Sequence, residues 1–167
     1  MKKNPFELSL LAVLAEILHG SQPDEGLLLN PGDDGLLQSL DRLSAEEASS
    51  QPDADSASIA AHTDHLRYGL SLINRWSQGE EPYQDADWTQ SWRLTQVSDS
   101  EWSELRSKLR AEADGFESAV HALLEAGESK TKAAIANVAH LAYHLGAIRQ
   151  INRALRGPNA NDISSAA

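Results

Sequence analysis

Three histidines have the residue type and the spacing to hold a metal ion. His140 and His144 are four residues apart in a segment predicted to be helical, which stacks their imidazoles on one side of the helix, one turn apart. His65 falls in a second predicted helix. Catalytic zinc sites commonly have three protein ligands and one open position. These residues therefore suggest a three-nitrogen site for a divalent metal between two helices.

The helical wheel of the last predicted helix turns both of its histidines toward the protein interior. His144 shares an arc with apolar residues, and His140 flanks that arc; the apolar members include Leu141, Leu145, Ile148 and Ile151. A neutral imidazole that is buried without a partner costs on the order of 1–3 kcal/mol. Spacing alone thus leaves two interpretations open, core histidines with hydrogen-bond partners or a metal site.

The identity of the third ligand is open on the same grounds. His62 is nearer the centre of its helix's apolar face and His65 is toward the edge, so bundle geometry permits either residue, or both, as ligand. His65 lies nine residues past Ser56 and His140 nine residues past Thr131, each roughly 13 Å into its predicted helix. The imidazoles come level if the two helices run parallel, whereas an antiparallel pair would separate them.

Four long helical segments and no strand are predicted. The first opens at Asn4-Pro5 and ends at Gly20, the second runs from about Ser56 to Gln78, the third from a capping box at Ser98 to Ala126, and the fourth from about Thr131 to Arg156. The predicted fold class is therefore all-α, a four-helix bundle with a long crossover between helices 1 and 2. It forms one domain over residues 1–156, and residues 157–167 are predicted to be a disordered tail.

The crossover, residues 21–55, is dense in Pro, Gly, Asp and Ser. It is predicted to hold only a short helix near Leu36 to Leu43, with an ordered turn at residues 30–35 and a mobile acidic stretch from Glu46 to Asp55.

Two further features need a structural explanation. Trp88 and Trp92 lie between the second and third helices and are predicted to cap the bundle core. A stripe of small and weakly polar residues opposite the site indicates either packing against the crossover or a homodimer contact; it comprises Ala136, Ala139, Tyr143 and Gly146.

Composition excludes several classes of function. The chain has 14 Lys and Arg against 25 Asp and Glu, a net charge of −11, which argues against nucleic acid and anionic membranes as partners. It has no cysteine, so any metal must use nitrogen and oxygen ligands. No apolar run approaches the roughly 20 residues that cross a bilayer. There is no signal-peptide pattern, so a cytoplasmic location is expected.

The segment Ser58-Ile59-Ala60-Ala61-His62-Thr63-Asp64-His65-Leu66, followed by His140-x-x-x-His144-Leu145-Gly146-x-Ile148, resembles the DinB/YfiT-like superfamily of damage-inducible four-helix proteins. In that family one histidine of the second helix and two of the last hold the metal. The resemblance implies His65, seven residues after Ser58, as the upstream ligand, with His140 and His144 as the others. The glutamine common after the last His-x-Gly is Ala147 here, and the 21–55 insertion is longer than in many members.

The resemblance also implies a range of functions. Some relatives are metal-dependent thiol transferases, or isomerases that use a low-molecular-weight thiol. This chain is therefore predicted to be a metal-dependent enzyme, of hydrolase or transferase type, that acts on a small molecule with zinc or nickel and an external thiol. The alternative is a non-catalytic metal-binding or stress-response bundle whose metal is structural or whose site is vestigial.

The residues around the three histidines bear on these possibilities. His62, Asn137 and Asp64 are the residues predicted to support the ligands, because a ligating imidazole usually donates its other N–H. A fourth protein ligand such as His62 would favour a structural metal. A di-iron carboxylate site is disfavoured, since none of His65, His140 and His144 has a Glu three residues before it.

Overall fold

The structure, a computed structural model, describes residues 4–53 and 55–155, and these form six α-helices without a β-strand. The helices are α1 (Pro5–His19), α2 (Leu36–Asp41), α3 (Ala45–Ser49), α4 (Ile59–Ser77), α5 (Asp99–Glu125) and α6 (Glu128–Ile151), with 3-10 turns at Gln90–Trp92 and Arg153–Leu155. The all-α class is confirmed. The described residues form six helices instead of the predicted four long ones, because the crossover contains two short helices, of which one was predicted. The predicted tail, residues 157–167, lies outside the described residues.

The long helices begin and end where their terminal residues satisfy the backbone. Asn4, Ser58 and Ser98 accept hydrogen bonds from the N–H groups of Glu7, Ala61 and Glu101, and Ser98 with Glu101 forms the predicted capping box. Gly127 separates α5 from α6 with φ of 107°, a left-handed conformation that side chains disfavour. The last helix therefore begins three residues before the predicted Thr131, and it ends at Ile151.

The acidic stretch predicted to be mobile begins with an ordered helix, so that prediction was wrong for its first residues. Ser44 and Glu47 form a reciprocal capping box at the start of α3, and Ala48 is fully buried. The short helix predicted near Leu36 to Leu43 is present as α2. Leu43 then accepts a hydrogen bond at 2.8 Å from the indole N–H of buried Trp102 in α5. These contacts fix the second half of the crossover against the bundle.

Helices α4 and α6 pack against each other in opposite directions. Three contacts show this, because the residue number rises along α4 while that of its partner falls along α6. They are His62 with His144, His65 with His140, and the Trp76 carbonyl with Lys130. The expectation that level imidazoles require parallel helices was wrong. His65 lies six residues after the start of α4 and His144 seven residues before the end of α6, so antiparallel packing brings them together.

Helices α4 and α5 run in the same direction, which creates a second crossover. Ser58 contacts the Leu94 carbonyl just before α5, and Asn74 donates to the Glu112 carbonyl farther along both helices. Residues 78–98 must therefore return along the length of α4. This return segment, residues 78–98, carries both loop tryptophans over the α4–α6 face.

The stripe on α6 does not pack against the crossover. Ala136, Ala139 and Gly146 are exposed, and Tyr143 is 70% exposed. A homodimer contact through this stripe stays a prediction, which light scattering after size exclusion checks. In the described ranges, no helix is both long and apolar enough for a membrane span.

Candidate metal centre

The imidazoles of His65, His140 and His144 converge between α4 and α6. The Nε2 atom of His140 is 3.2 Å from Nε2 of His65 and 2.9 Å from Nε2 of His144. Each residue offers one nitrogen, and these nitrogens all lie within 4.8 Å of one another. His65 and His144 are buried, and His140 is half-buried. The structure thus brings together the three residues that the sequence singled out.

Ser91 fixes the tautomer of His65. The Ser91 hydroxyl donates to the Trp88 carbonyl oxygen at 2.9 Å, and the Ser91 hydroxyl oxygen lies 2.9 Å from Nδ1 of His65. Because the hydroxyl proton is already engaged, Nδ1–H of His65 must be the donor in this second contact. A neutral His65 then has its lone pair on Nε2, the atom that faces the other two histidines.

His62 contacts the outer nitrogen of His144. Nδ1 of His62 lies 2.7 Å from Nδ1 of His144, on the side of the ring away from the convergent Nε2 atoms. When His144 donates Nδ1–H to His62, its own Nε2 presents a lone pair to the cluster. His62 therefore occupies the position of a residue that orients a ligand, one of the roles predicted for it.

The two other predicted supporting residues have different partners. Asp64 forms an ion pair with Arg67 at 2.7 Å, and its charge acts on His65 only from a distance, favouring the protonated ring. Asn137 donates its side-chain N–H to the Ala133 carbonyl. Ser91 supplies the contact that the sequence did not reveal. No local pattern marks it, since its proximity to His65 depends on the path of the return segment.

Trp92 and Trp88 cover the histidines, so the prediction that they cap the apolar core was wrong. The Trp92 ring stacks on His65 with centroids 4.2 Å apart and also meets His62 edge-on at 5.3 Å. Trp88 lies 5.5 Å from the His65 ring. Both indoles remain more than a third exposed, at 39% for Trp88 and 37% for Trp92. They form a partial apolar cover over the cluster.

Burial keeps the histidines neutral. It lowers the pKa of His144 to about 3, with further lowering from the neighbouring His140, His62 and His65. It lowers the pKa of His65 to about 4, with further lowering from His140 and His62 that Asp64 partly opposes. The pKa values of His140 and His62 are also lowered by burial. Neutral rings have lone pairs available for a cation near neutral pH.

The donor set fits a tetrahedral metal ion. Two nitrogens each about 2.0–2.1 Å from zinc at tetrahedral angles are roughly 3.3 Å apart. The two Nε2–Nε2 distances, 2.9 and 3.2 Å, are within a few tenths of an ångström of that value. His65 and His144 each have the outer nitrogen engaged, as metal-ligating histidines almost always do. Small ring movements would be enough to admit an ion.

Comparison with known proteins agrees with the motif. Neither the curated proteins nor the solved structures contain a match to this chain. A family model described as the DinB superfamily matches residues 33–148, more than half of the chain and all three convergent histidines. The chain belongs to the DinB superfamily.

Proposed function

We propose that this protein is a metal-dependent enzyme that acts on a small molecule through a divalent ion, zinc or nickel, held by His65, His140 and His144. The convergence of three Nε2 atoms carries the proposal. Ser91 and His62 contact the outer nitrogens of His65 and His144, so that both rings can present an Nε2 lone pair toward His140. Burial holds the pKa values of His144 and His65 at about 3 and about 4, so both rings remain neutral near pH 7 and keep a lone pair for a cation.

Three neutral imidazole ligands leave the full charge of a divalent ion available to lower the pKa of a water or thiol. The residues of this chain have separate tasks. Ser91 and His62 hold two rings in orientation, and Trp92 limits the access of bulk water to His65. The reaction is of hydrolase or thiol-transferase type. Since the chain has no cysteine, thiol chemistry would use an external low-molecular-weight thiol.

The position of His62 favours an enzyme over a bundle with a structural metal. A closed site requires a fourth protein ligand, and His62 was the candidate for it. Its Nδ1 instead lies against the outer nitrogen of His144. This supports an open fourth position, which a substrate or a thiol could occupy.

Metal analysis of the purified protein tests the proposal. Wild-type protein, prepared without chelator and offered zinc or nickel, is expected to retain one equivalent of metal, and the His140→Ala, His144→Ala double variant is expected to lose it. His19→Ala and His121→Ala are matched controls, because these histidines are exposed and lie on other helices. A wild type that stays empty, or a control that loses the metal equally, would overturn the proposal.

A further inference from the structure

A cleft of about 400 Å³ opens beside His140. Its walls come from the end of α4, from the return segment and from α6, with Trp76, Tyr83 and Trp88 opposite Ala136, Asn137 and His140. We call this the aromatic cleft. Pockets that bury small ligands commonly have volumes of 300–1,000 Å³. The aromatic cleft is therefore large enough for a compound of one or two rings.

The aromatic walls are held in place by other rings. Trp76 and Tyr83 meet edge to face with centroids 5.5 Å apart and planes at 88°. Trp88 meets Tyr68 in the same manner at 5.5 Å, and it packs over Gly69. Tyr83 and Trp88 are nevertheless each 39% exposed. Rings that are fixed and uncovered present a preformed surface for another flat group.

The charges around the cleft favour an uncharged ligand. None of the described residues that line it is an aspartate, glutamate, lysine or arginine. Lys130 already lies against one wall, because its Nζ is 5.2 Å from the Trp76 ring centroid and donates to the Trp76 carbonyl. This ammonium disfavours a cationic ligand on the same ring.

The cleft adjoins the histidine cluster. The His140 ring is part of its wall, and Nε2 of that same ring is one of the three convergent nitrogens. A molecule with its apolar end in the cleft therefore has its other end close to the cluster. We propose that the aromatic cleft binds the flat, uncharged, aromatic portion of the small molecule that the protein acts on. Only the placement of the reacting end rests on the proposed function; the apolar contact itself requires no metal.

The first test uses metal-free protein and the neutral fluorescent probe N-phenyl-1-naphthylamine. We expect one probe to bind per chain with a rise in emission. Ala136→Glu puts a charge and a longer side chain into the cleft, and is expected to weaken binding by at least about tenfold, the scale of losing contact with one aromatic ring. Ala139→Glu is the matched control, because Ala139 is exposed on the same helix and is not part of the cleft.

Tyr83→Ala removes one wall from the return segment and is expected to weaken the probe as well, which keeps the test valid if Ala136→Glu does not fold. The inference would be overturned if neither cleft variant weakens probe binding, or if Ala139→Glu weakens it as much as they do. The absence of probe binding to the wild type would overturn it as well.

The second test separates this inference from the proposed function. Cobalt(II) is added to the protein, and the binding of a thiol is measured through the change in the visible absorption of the cobalt. We expect 2-phenylethanethiol to bind at least about tenfold more tightly than 2-mercaptoethanol, and Ala136→Glu, unlike Ala139→Glu, to abolish the difference. A protein that takes up no cobalt contradicts the proposed function, while the naphthylamine result still decides the cleft. Cobalt uptake with equal affinity for both thiols contradicts the cleft.

Discussion

The hydroxyl of Ser91 determines which nitrogen of His65 faces the other histidines. In Ser91→Ala the Nδ1–H of His65 loses its acceptor, and the ring loses both its orientation and its fixed tautomer. Loss of such a contact typically weakens metal binding by about 10–100-fold. We expect a decrease of that size in zinc affinity, measured by competition with a chromogenic chelator.

Ser71→Ala is the matched control for Ser91→Ala. The Ser71 hydroxyl also donates to a carbonyl three residues earlier, that of Tyr68, but it has no hydrogen bond to a histidine in the described structure. Its removal is expected to leave zinc affinity unchanged. Equal losses in the two variants would mean that Ser91 contributes only to general stability.

His62 is predicted to orient His144 without binding the ion. His62→Phe is therefore expected to lower the affinity for zinc by about 10–100-fold. In excess zinc the variant should still hold one equivalent. If the variant holds no zinc even in excess zinc, His62 is a ligand, because losing an orienting contact weakens a metal site whereas losing a ligand removes it. His121→Phe, at an exposed histidine on α5, provides the comparison.

Ser91 and His62 show how much of the site the local sequence reveals. Helical spacing paired His140 with His144, but it left His62 and His65 as equal candidates, since both lie on the inner side of α4. Their roles differ because His65 contacts Nε2 of His140, whereas His62 contacts Nδ1 of His144. Helical periodicity does not predict which ring nitrogen a side chain meets. Ser91 is reached only through the fold of the return segment, which has no regular pattern.

At the level of elements, Glu16 holds the first half of the crossover against α1. Its carboxylate accepts hydrogen bonds of 2.6–3.0 Å from the backbone N–H groups of Leu27, Leu28 and Leu29. Burial opposes its ionisation, but the three backbone donors prevail and lower the pKa below 4.5. The folded state therefore favours the carboxylate more than the unfolded chain does.

The sign of the pH dependence follows from this lowered pKa. Glu16 contributes stability above its unfolded pKa, and the contribution is lost as the pH falls through the lower folded value. Glu16→Gln is expected to cost about 1–3 kcal/mol in the free energy of unfolding at pH 7, and the cost should shrink in acid. Urea unfolding at pH 7 and pH 4 measures both. Glu104→Gln, at an exposed residue paired with Lys108, is expected to change little.

A buried ion pair links the crossover to α6. Arg149 contacts Asp33 at 3.2 Å, with side-chain exposures of 14% and 0%, and donates to the Asp34 carbonyl. Arg149→Met leaves the Asp33 charge buried and uncompensated, which typically costs about 3–5 kcal/mol. Adding Asp33→Asn should restore part of that loss in urea unfolding. Arg75→Met breaks an exposed pair with Glu80 and should cost less than about 1 kcal/mol; a similar cost for both would contradict the argument.

The helices themselves were largely predictable, and their directions were not. Asn4, Ser98 and Gly127 mark helix ends through contacts within a few residues, so the sequence locates them. Whether α4 runs with α5 or against it depends on where residues 78–98 go, and Pro, Gly and polar residues there permit many paths. The capping box at Ser44 and Glu47 was present in the sequence, but the surrounding acidic residues suggested mobility instead.

Considered as a whole, the molecule surrounds the histidine cluster with segments distant in the chain. Helix α4 supplies His65, helix α6 supplies His140 and His144, and the return segment supplies Ser91 and Trp92. An ion bound there joins α4 to α6 only in the folded state. Metal binding should therefore stabilise the whole fold by linkage.

The size of that stabilisation can be stated. At a free zinc concentration of 100 times Kd the folded state gains about 2.7 kcal/mol, which for a domain of this size raises Tm by roughly 5–11 °C. Differential scanning calorimetry with and without zinc measures the rise, and a chelator should reverse it. His121→Ala should keep the rise, whereas the His140→Ala, His144→Ala double variant should lose it. An equal rise in that double variant would mean that zinc binds elsewhere, because a shift caused by the cluster cannot survive the loss of two of its three nitrogens.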